Sequence, residues 1–400
     1  MAFDYDAADR LTETTLPNGV KTGYAYNTAN QTTGIAWLKP DGTALGEIGY
    51  GYDQVGRLVA QTGSFAPQAL PAARSGGFDD NNRQTQADGQ TLSYDANGNL
   101  VSDGVRTYVW NARDQLVEIK QGTASIASFG YDPLGRRVSK TEGGQTISYL
   151  YDGLDAVQET QGGTVNPILT GLGIDERYAR NEASGRAYFL SDALGSTRAV
   201  TNASGALIQR YDYTPYGQTS QANTGTSNPY QYTGRERDAS GLYYYRARYY
   251  RSDLARFISE DPIGLEGGAN PYAYVVADPL SNVDPMGLAP DPLLGYKPAY
   301  GPIIFKTPTK PIGWVERMIS SLIIGKLSLG TTSVNKFGKL VPKPSTLLGR
   351  ASVYIMLMEP YDAGCAELDC DRDGVADFMQ RENPNMCLEP GSGMSMISVR

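Results

Sequence analysis

The residues best suited to chemistry are two aspartates in matching settings, Asp261-Pro262-Ile263-Gly264-Leu265 and Asp284-Pro285-Met286-Gly287-Leu288. Two carboxylates held close together resist double ionisation and share a proton. The ionised one can then activate water while its protonated partner polarises a carbonyl. This aspartic-protease arrangement needs no imidazole, and the chain has no histidine at all. That absence excludes Ser-His-Asp and Cys-His catalysis, His-ligated metal sites and HExxH chemistry. The same residues also describe two turns, with Asp capping, Pro fixing φ and Gly adopting positive φ. Spacing alone favours the turns.

A second constellation lies near the C-terminus. In Asp369-Cys370-Asp371-Arg372-Asp373-Gly374-Val375-Ala376-Asp377, oxygen ligands fall at positions 1, 3, 5 and 9, with Gly at position 6. The Val375 carbonyl supplies position 7 and Gln380 stands at position 12, the frame of a Ca2+-binding loop. Gln380 replaces the usual bidentate Glu, which weakens the site; a solvated acidic turn is the competing reading. Cys365, Cys370 and Cys387 are odd in number and leave their disulfide state open. A third stretch, Tyr243-Tyr244-Tyr245-Arg246-Ala247-Arg248-Tyr249-Tyr250, interleaves aromatic and basic residues as single-stranded nucleic-acid binders do. Read as one strand, it places Tyr243, Tyr245, Ala247 and Tyr249 on one face and Tyr244, Arg246, Arg248 and Tyr250 on the other. A structural strand is the better reading.

These residues must be positioned by elements that the composition describes. Tyr is abundant at 28 against 9 Phe and 3 Trp, beside 46 Gly, which favours short strands and tight turns. The net charge of −8 is unevenly spread: residues 1–288 carry −9, residues 289–358 carry +7 and residues 359–400 carry −6. A boundary near 288 follows. Residues 289–311 are Pro-rich and read as an extended linker. Within 312–400, Val315, Met318, Ile319, Leu322 and Ile323 have the spacing of a short amphipathic helix. This cationic segment permits contact with an anionic membrane or with nucleic acid, and its target is not established. No N-terminal signal segment is legible, so export would use a route that reads none.

Before residue 288 an internal repeat dominates. Tyr5-Asp6, Tyr26-Asn27, Tyr52-Asp53, Tyr94-Asp95, Trp110-Asn111 and Tyr131-Asp132 each precede a Gly- or polar-centred turn; 5 to 26 and 110 to 131 are 21 residues apart, and 52 to 94 is twice that. Each unit reads as a hairpin whose Asp or Asn opens the turn. Alone it cannot bury its own face, so units must stack.

This YDxxGRL pattern resembles the YD repeats of RHS proteins. Residues 188–288, from Tyr188-Phe189-Leu190-Ser191-Asp192 to Asp284-Pro285-Met286-Gly287-Leu288, resemble the RHS repeat-associated core domain. The resemblance implies a mainly β fold: a spiral β-sheet shell of repeats (1–187) closed by the core (188–288). After the linker (289–311), a small α+β or α-containing effector domain (312–400) would follow. It further implies polymorphic-toxin function, with single-turnover aspartyl-protease-like self-cleavage between Leu288 and Ala289. Asp261 and Asp284 would be the carboxylates, and Arg256, in Ala255-Arg256-Phe257-Ile258-Ser259, the essential arginine. Expected partners are the N-terminal remainder of the shell or a delivery machinery, and a cognate immunity protein. The protein would be secreted or surface-bound, with the effector acting in a target cell. The alternative is a non-toxic adhesive scaffold with a Ca2+-binding tail, or an orphan fragment.

Overall fold

The computed structural model describes residues 1–292 except 68–70, 72 and 223–224, together with a pair of short antiparallel strands, Thr332–Val334 and Leu340–Pro342. The Ca2+-loop residues Asp369, Asp371, Asp373, Val375, Asp377 and Gln380, the three cysteines and the helix expected at 315–323 lie outside the described residues.

The repeats form antiparallel meanders in which every strand pairs with its sequence neighbours. Six strands from Ala2–Tyr5 to Leu58–Thr62 make one sheet, and fourteen from Ser93–Tyr94 to Thr219–Ala222 make another. A three-stranded sheet from Gly76–Phe78 to Gln90–Thr91 lies between them in sequence. The fourteen-stranded sheet continues through residue 187 without a break.

The unit that begins at Tyr131 shows why the motif folds this way. Asp132 Oδ1 accepts the backbone N–H groups of Leu134 and Arg136, and Asp132 Oδ2 accepts from Arg136 Nε at 2.7 Å. Gly135 closes the turn at φ 85°, where a side chain would be strained. The register shifts between Gly130 and Tyr131, and this bulge turns the aromatic residue inward. The Tyr131 hydroxyl then donates to the Leu116 carbonyl, fifteen residues back. Tyr26 and Tyr52 make the equivalent bonds to Leu11 and Thr32. In two of the turns the arginine lies over the tyrosine that opens a later unit: Arg10 over Tyr26 at 5.0 Å and Arg136 over Tyr151 at 5.2 Å. Stacking of units is thus supported by hydroxyl–carbonyl bonds and, at two steps, by a cation–π contact.

Four further strands form the core sheet: Glu236–Arg237, Tyr243–Tyr245, Arg248–Arg251 and Arg256–Phe257. Here the structure departs from the single strand expected over 243–250. The chain turns at Arg246 (φ 54°), so Tyr243–Tyr245 and Arg248–Arg251 pair with each other as a hairpin. Tyr243, Tyr245 and Tyr250 consequently share one hydrophobic cluster, while Tyr244 and Tyr249 belong to another. The rings pack on one another; Tyr250 and Tyr274 approach to 4.5 Å between centroids, and Tyr245 meets Phe257 edge-on at 5.8 Å. Their hydroxyls have internal partners: Tyr250 donates to the Tyr216 carbonyl and Tyr232 to that of Pro215, both at 2.8 Å. These tyrosines are buried and present no face for a nucleic-acid base.

The core sheet is tied to the repeat sheet by buried charge. Arg137 is fully buried, pairs with Glu236 and Asp238 at 2.5 Å each, and lies over the Tyr244 ring at 4.3 Å. Lys140 adds a 2.9 Å bond to Asp238.

Candidate active site

The two aspartates meet. Asp261 follows the last core strand, and Asp284 follows Asn282–Val283, a short strand that pairs with Asp291–Pro292. Both turns form as their sequence demands: Gly264 N–H donates to the Asp261 carbonyl at 2.9 Å, and Gly287 N–H to the Asp284 carbonyl at 3.2 Å. The turn and the carboxylate pair are therefore one structure, not alternatives. Gly287 has φ 70°, and a side chain there would strike the Tyr245 carbonyl, so the second turn sits directly on the core hairpin.

One guanidinium joins the carboxylates, and it belongs to Arg248. Its Nη2 lies 2.8 Å from Asp261 Oδ2 and 3.5 Å from Asp284 Oδ2. Its Nε donates to the Gly287 carbonyl at 2.5 Å and its Nη1 to that of Pro271 at 2.9 Å. Arg256, expected in this role, is elsewhere. Its Nη2 donates to the Asn82 carbonyl at 2.5 Å, and the guanidinium lies over the Tyr272 ring at 4.9 Å. The reason is the turn at Arg246–Ala247, which aims Arg248 at the aspartates, while Arg256 leaves the last core strand towards the repeats.

The peptide between Leu288 and Ala289 passes through this site. Asp284 Oδ1 accepts from Leu288 N–H at 2.9 Å and from Ala289 N–H at 3.3 Å. On its other side the peptide faces Gly267. A Cβ added at Gly267 would collide with Asp261 Oδ2 and sit 2.8 Å from the Leu288 carbonyl oxygen. One carboxylate thus accepts from the amide nitrogens, and the other lies, like the Leu288 carbonyl oxygen, beside Gly267. Nothing similar surrounds Leu265, the counterpart of Leu288 in the first motif. Its side chain is 78% exposed, and Asp261 Oδ1 accepts instead from Ile263 N–H at 3.0 Å.

A family model, Teneurin YD-shell, matches residues 1–267. The chain belongs to the Teneurin YD-shell family. Its relatives place this YD-shell chain among RHS/YD-repeat proteins. It is 33% identical over 260 residues to the tRNA3(Ser)-specific nuclease WapA of Bacillus spizizenii, a match covering 62% of this chain and 11% of WapA. It is 29% identical over 308 residues to double-stranded DNA deaminase toxin A of Burkholderia cenocepacia, covering 62% of this chain and 21% of the toxin. The chain therefore spans a tenth to a fifth of the length of these relatives. In fold, 72% of it superposes on 19% of a chain in the crystal structure of TcdB2-TccC3-Cdc42, with TM-score 0.54 and 22% identity.

The YD-shell core also sets the electrostatics of the pair. Burial raises the Asp261 carboxyl to about 6; Arg248 opposes the rise and Asp284 adds to it. Burial raises Asp284 too, against Arg248 and the N–H bonds of Leu288, Ala289 and Gly287. Desolvation outweighs even the close Arg248 contact, which leaves a proton to be held near neutral pH. The N–H bonds to Asp284 oppose its rise, whereas Asp261 is carried to about 6, so Asp261 is the better placed of the two to hold the proton. Among the described residues no group of acidic and Cys side chains is arranged to hold a metal ion.

Proposed function

We propose that this chain is the C-terminal part of an RHS-type toxin that cuts itself once, between Leu288 and Ala289. The observation that supports this reading is the convergence of Asp261, Asp284 and Arg248 on that peptide. Water adds to the Leu288 carbonyl carbon and gives its proton to ionised Asp284, while protonated Asp261 donates to the carbonyl oxygen. Arg248 balances the negative charge of the pair. The carbon–nitrogen bond then breaks as Asp284 passes its proton to the Ala289 nitrogen and one hydroxyl of the gem-diol returns a proton to Asp261, so that a Leu288 carboxyl and an Ala289 amine remain and the pair regains its starting protonation. The enzyme is its own substrate and turns over once.

In this reading residues 1–187 and 188–288 are shell and core, 289–311 a linker and 312–400 the effector. The names of the relatives, a nuclease and a deaminase toxin, support a toxic role and leave the effector's own reaction open. The TcdB2-TccC3 neighbour supports association with a larger delivery shell and delivery into another cell. A cognate immunity protein would protect the producer. The acidic loop at 369–380 would bind Ca2+, which calorimetric titration of the purified chain would register as heat.

The test is the intact mass of the purified chain beside that of Asp284→Asn. Two wild-type pieces meeting at Leu288/Ala289, with one uncut variant, are expected. A single intact wild-type mass would overturn the cleavage reading and favour the scaffold.

A further inference from the structure

The loop between the two motifs carries a residue that neither motif contains. Gly267 ends a short 3-10 turn, Gly264–Gly267, that folds the chain back over the aspartates. Its φ is not in the left-handed region, so its backbone would accept an L side chain; Gly268, at φ 134°, would not. What forbids a side chain at 267 is space. The three atoms nearest to an added Cβ are Asp261 Oδ2, the Leu288 carbonyl oxygen at 2.8 Å and Asp261 Cγ at 3.0 Å. These belong to the carboxyl that faces the peptide and to the carbonyl under attack. At Gly287, by contrast, the obstacle is the Tyr245 carbonyl of the core hairpin and φ is itself positive.

We propose that Gly267 is a positioning residue for self-cleavage: its missing side chain leaves open the passage through which the Asp261 carboxyl reaches the Leu288 carbonyl. The proposal rests on the cleavage reading above. A contact below 3.0 Å must be relieved by movement of the acid, of the scissile carbonyl or of the turn that carries residue 267, and each of these changes how the acid meets the carbonyl. Small misplacements of reacting groups cost orders of magnitude in rate, so residue 267 sets the rate without contributing a polar atom. The three charged residues would all be present in a Gly267→Ala chain, yet the reaction would stall.

The test uses the full chain, synthesised in a short cell-free pulse and moved into buffers between pH 5 and 8, with intact mass followed over time. Wild type, Gly267→Ala, Gly267→Val and Glu266→Ala are compared. Cleavage is expected to slow at least tenfold in Gly267→Ala and further in Gly267→Val, and to be unchanged in Glu266→Ala. The slow residual cleavage of Gly267→Ala is expected to lose the rise towards acid pH, because the acid no longer meets the carbonyl. A merely structural glycine would lower the yield of folded chain and leave that pH dependence intact. To separate folding from positioning, Gly267→Ala is also placed in the uncut Asp284→Asn background, where its melting temperature is expected to match that of Asp284→Asn alone. Equal cleavage in Gly267→Ala and wild type would overturn the proposal and leave the aspartate reading standing. An unchanged pH profile, or a lowered melting temperature, would overturn it in favour of a structural role. An uncut wild type would overturn both.

Discussion

Arg248 and Arg256 sit eight residues apart in the chain and have opposite duties, and substitution separates them. Arg248→Gln removes the guanidinium that, among the described residues, contacts both carboxylates. It is expected to slow cleavage by about 10²–10³-fold, as loss of a preorganised charge contact does, measured by intact mass over time. Arg256→Gln is expected to leave the cut in place and to lower the melting temperature, because its guanidinium bridges to Asn82 and Tyr272 instead. Cleavage should also depend on pH. Asp261 is raised from 3.8 to about 6 in the folded chain, chiefly by burial. The fold thus favours its protonated form, and that contribution to stability is complete below the unfolded value and lost as pH rises through about 6. A time course between pH 5 and 8 should show cleavage accelerating as pH falls through about 6. The aspartates were legible in the sequence because each carries its own turn. The arginine was not, because Arg246, Arg248, Arg251 and Arg256 lie close together and only the turn at Arg246–Ala247 decides which of them faces the carboxylates.

At the scale of elements, the repeat owes its stacking to bonds between units. Tyr131→Phe keeps the ring and deletes the hydroxyl that reaches the Leu116 carbonyl and the Tyr249 hydroxyl. The expected cost is about 1–2 kcal/mol, read from urea unfolding of the uncut Asp284→Asn chain. The turn chemistry of the motif was legible, since Asp and Gly each have one local task. The tyrosine's task was not, because its partner lies fifteen residues back and becomes a neighbour only once the bulge has turned the ring inward. The same limit hid the core hairpin: strict alternation over 243–250 assumed an extended chain, and Arg246 in the left-handed region breaks it. Arg246 holds its own turn against the site, donating to the Pro285 carbonyl at 2.5 Å and to Asp175 at 2.8 Å and 2.9 Å. Through it, the loop before Arg177–Glu182 in the repeat sheet reaches the turn that contains Asp284.

For the molecule as a whole, the buried Arg137 cluster is the seam between repeat sheet and core. Asp238→Asn would leave Arg137 with Glu236 alone and Lys140 with the more distant Glu142 at 3.7 Å, and breaking a buried charge pair costs up to about 3–5 kcal/mol. The expected result is a lowered melting temperature together with slower self-cleavage, because the hairpin that carries Arg248 is the one this seam holds. The fragments themselves should stay together. Asn282–Val283 lies before the cut and Asp291–Pro292 beyond it, and the two are paired. Native size-exclusion chromatography is expected to show one peak containing both pieces, and the same column in denaturant two.

Arg248 has one further consequence. In the uncut chain it is the single cation answering two carboxylates. Hydrolysis would create a third carboxylate, at Leu288, within the same enclosure, while the ammonium formed at Ala289 lies on the separated chain, two residues before the strand that keeps that chain paired. Crowded anions drive the new terminus outward and oppose its return, so resealing the bond would demand that charge be gathered back into a dry pocket. In the proposed reaction the arrangement would work as a ratchet: the proximity that would make two aspartates reactive would make their product unable to turn back.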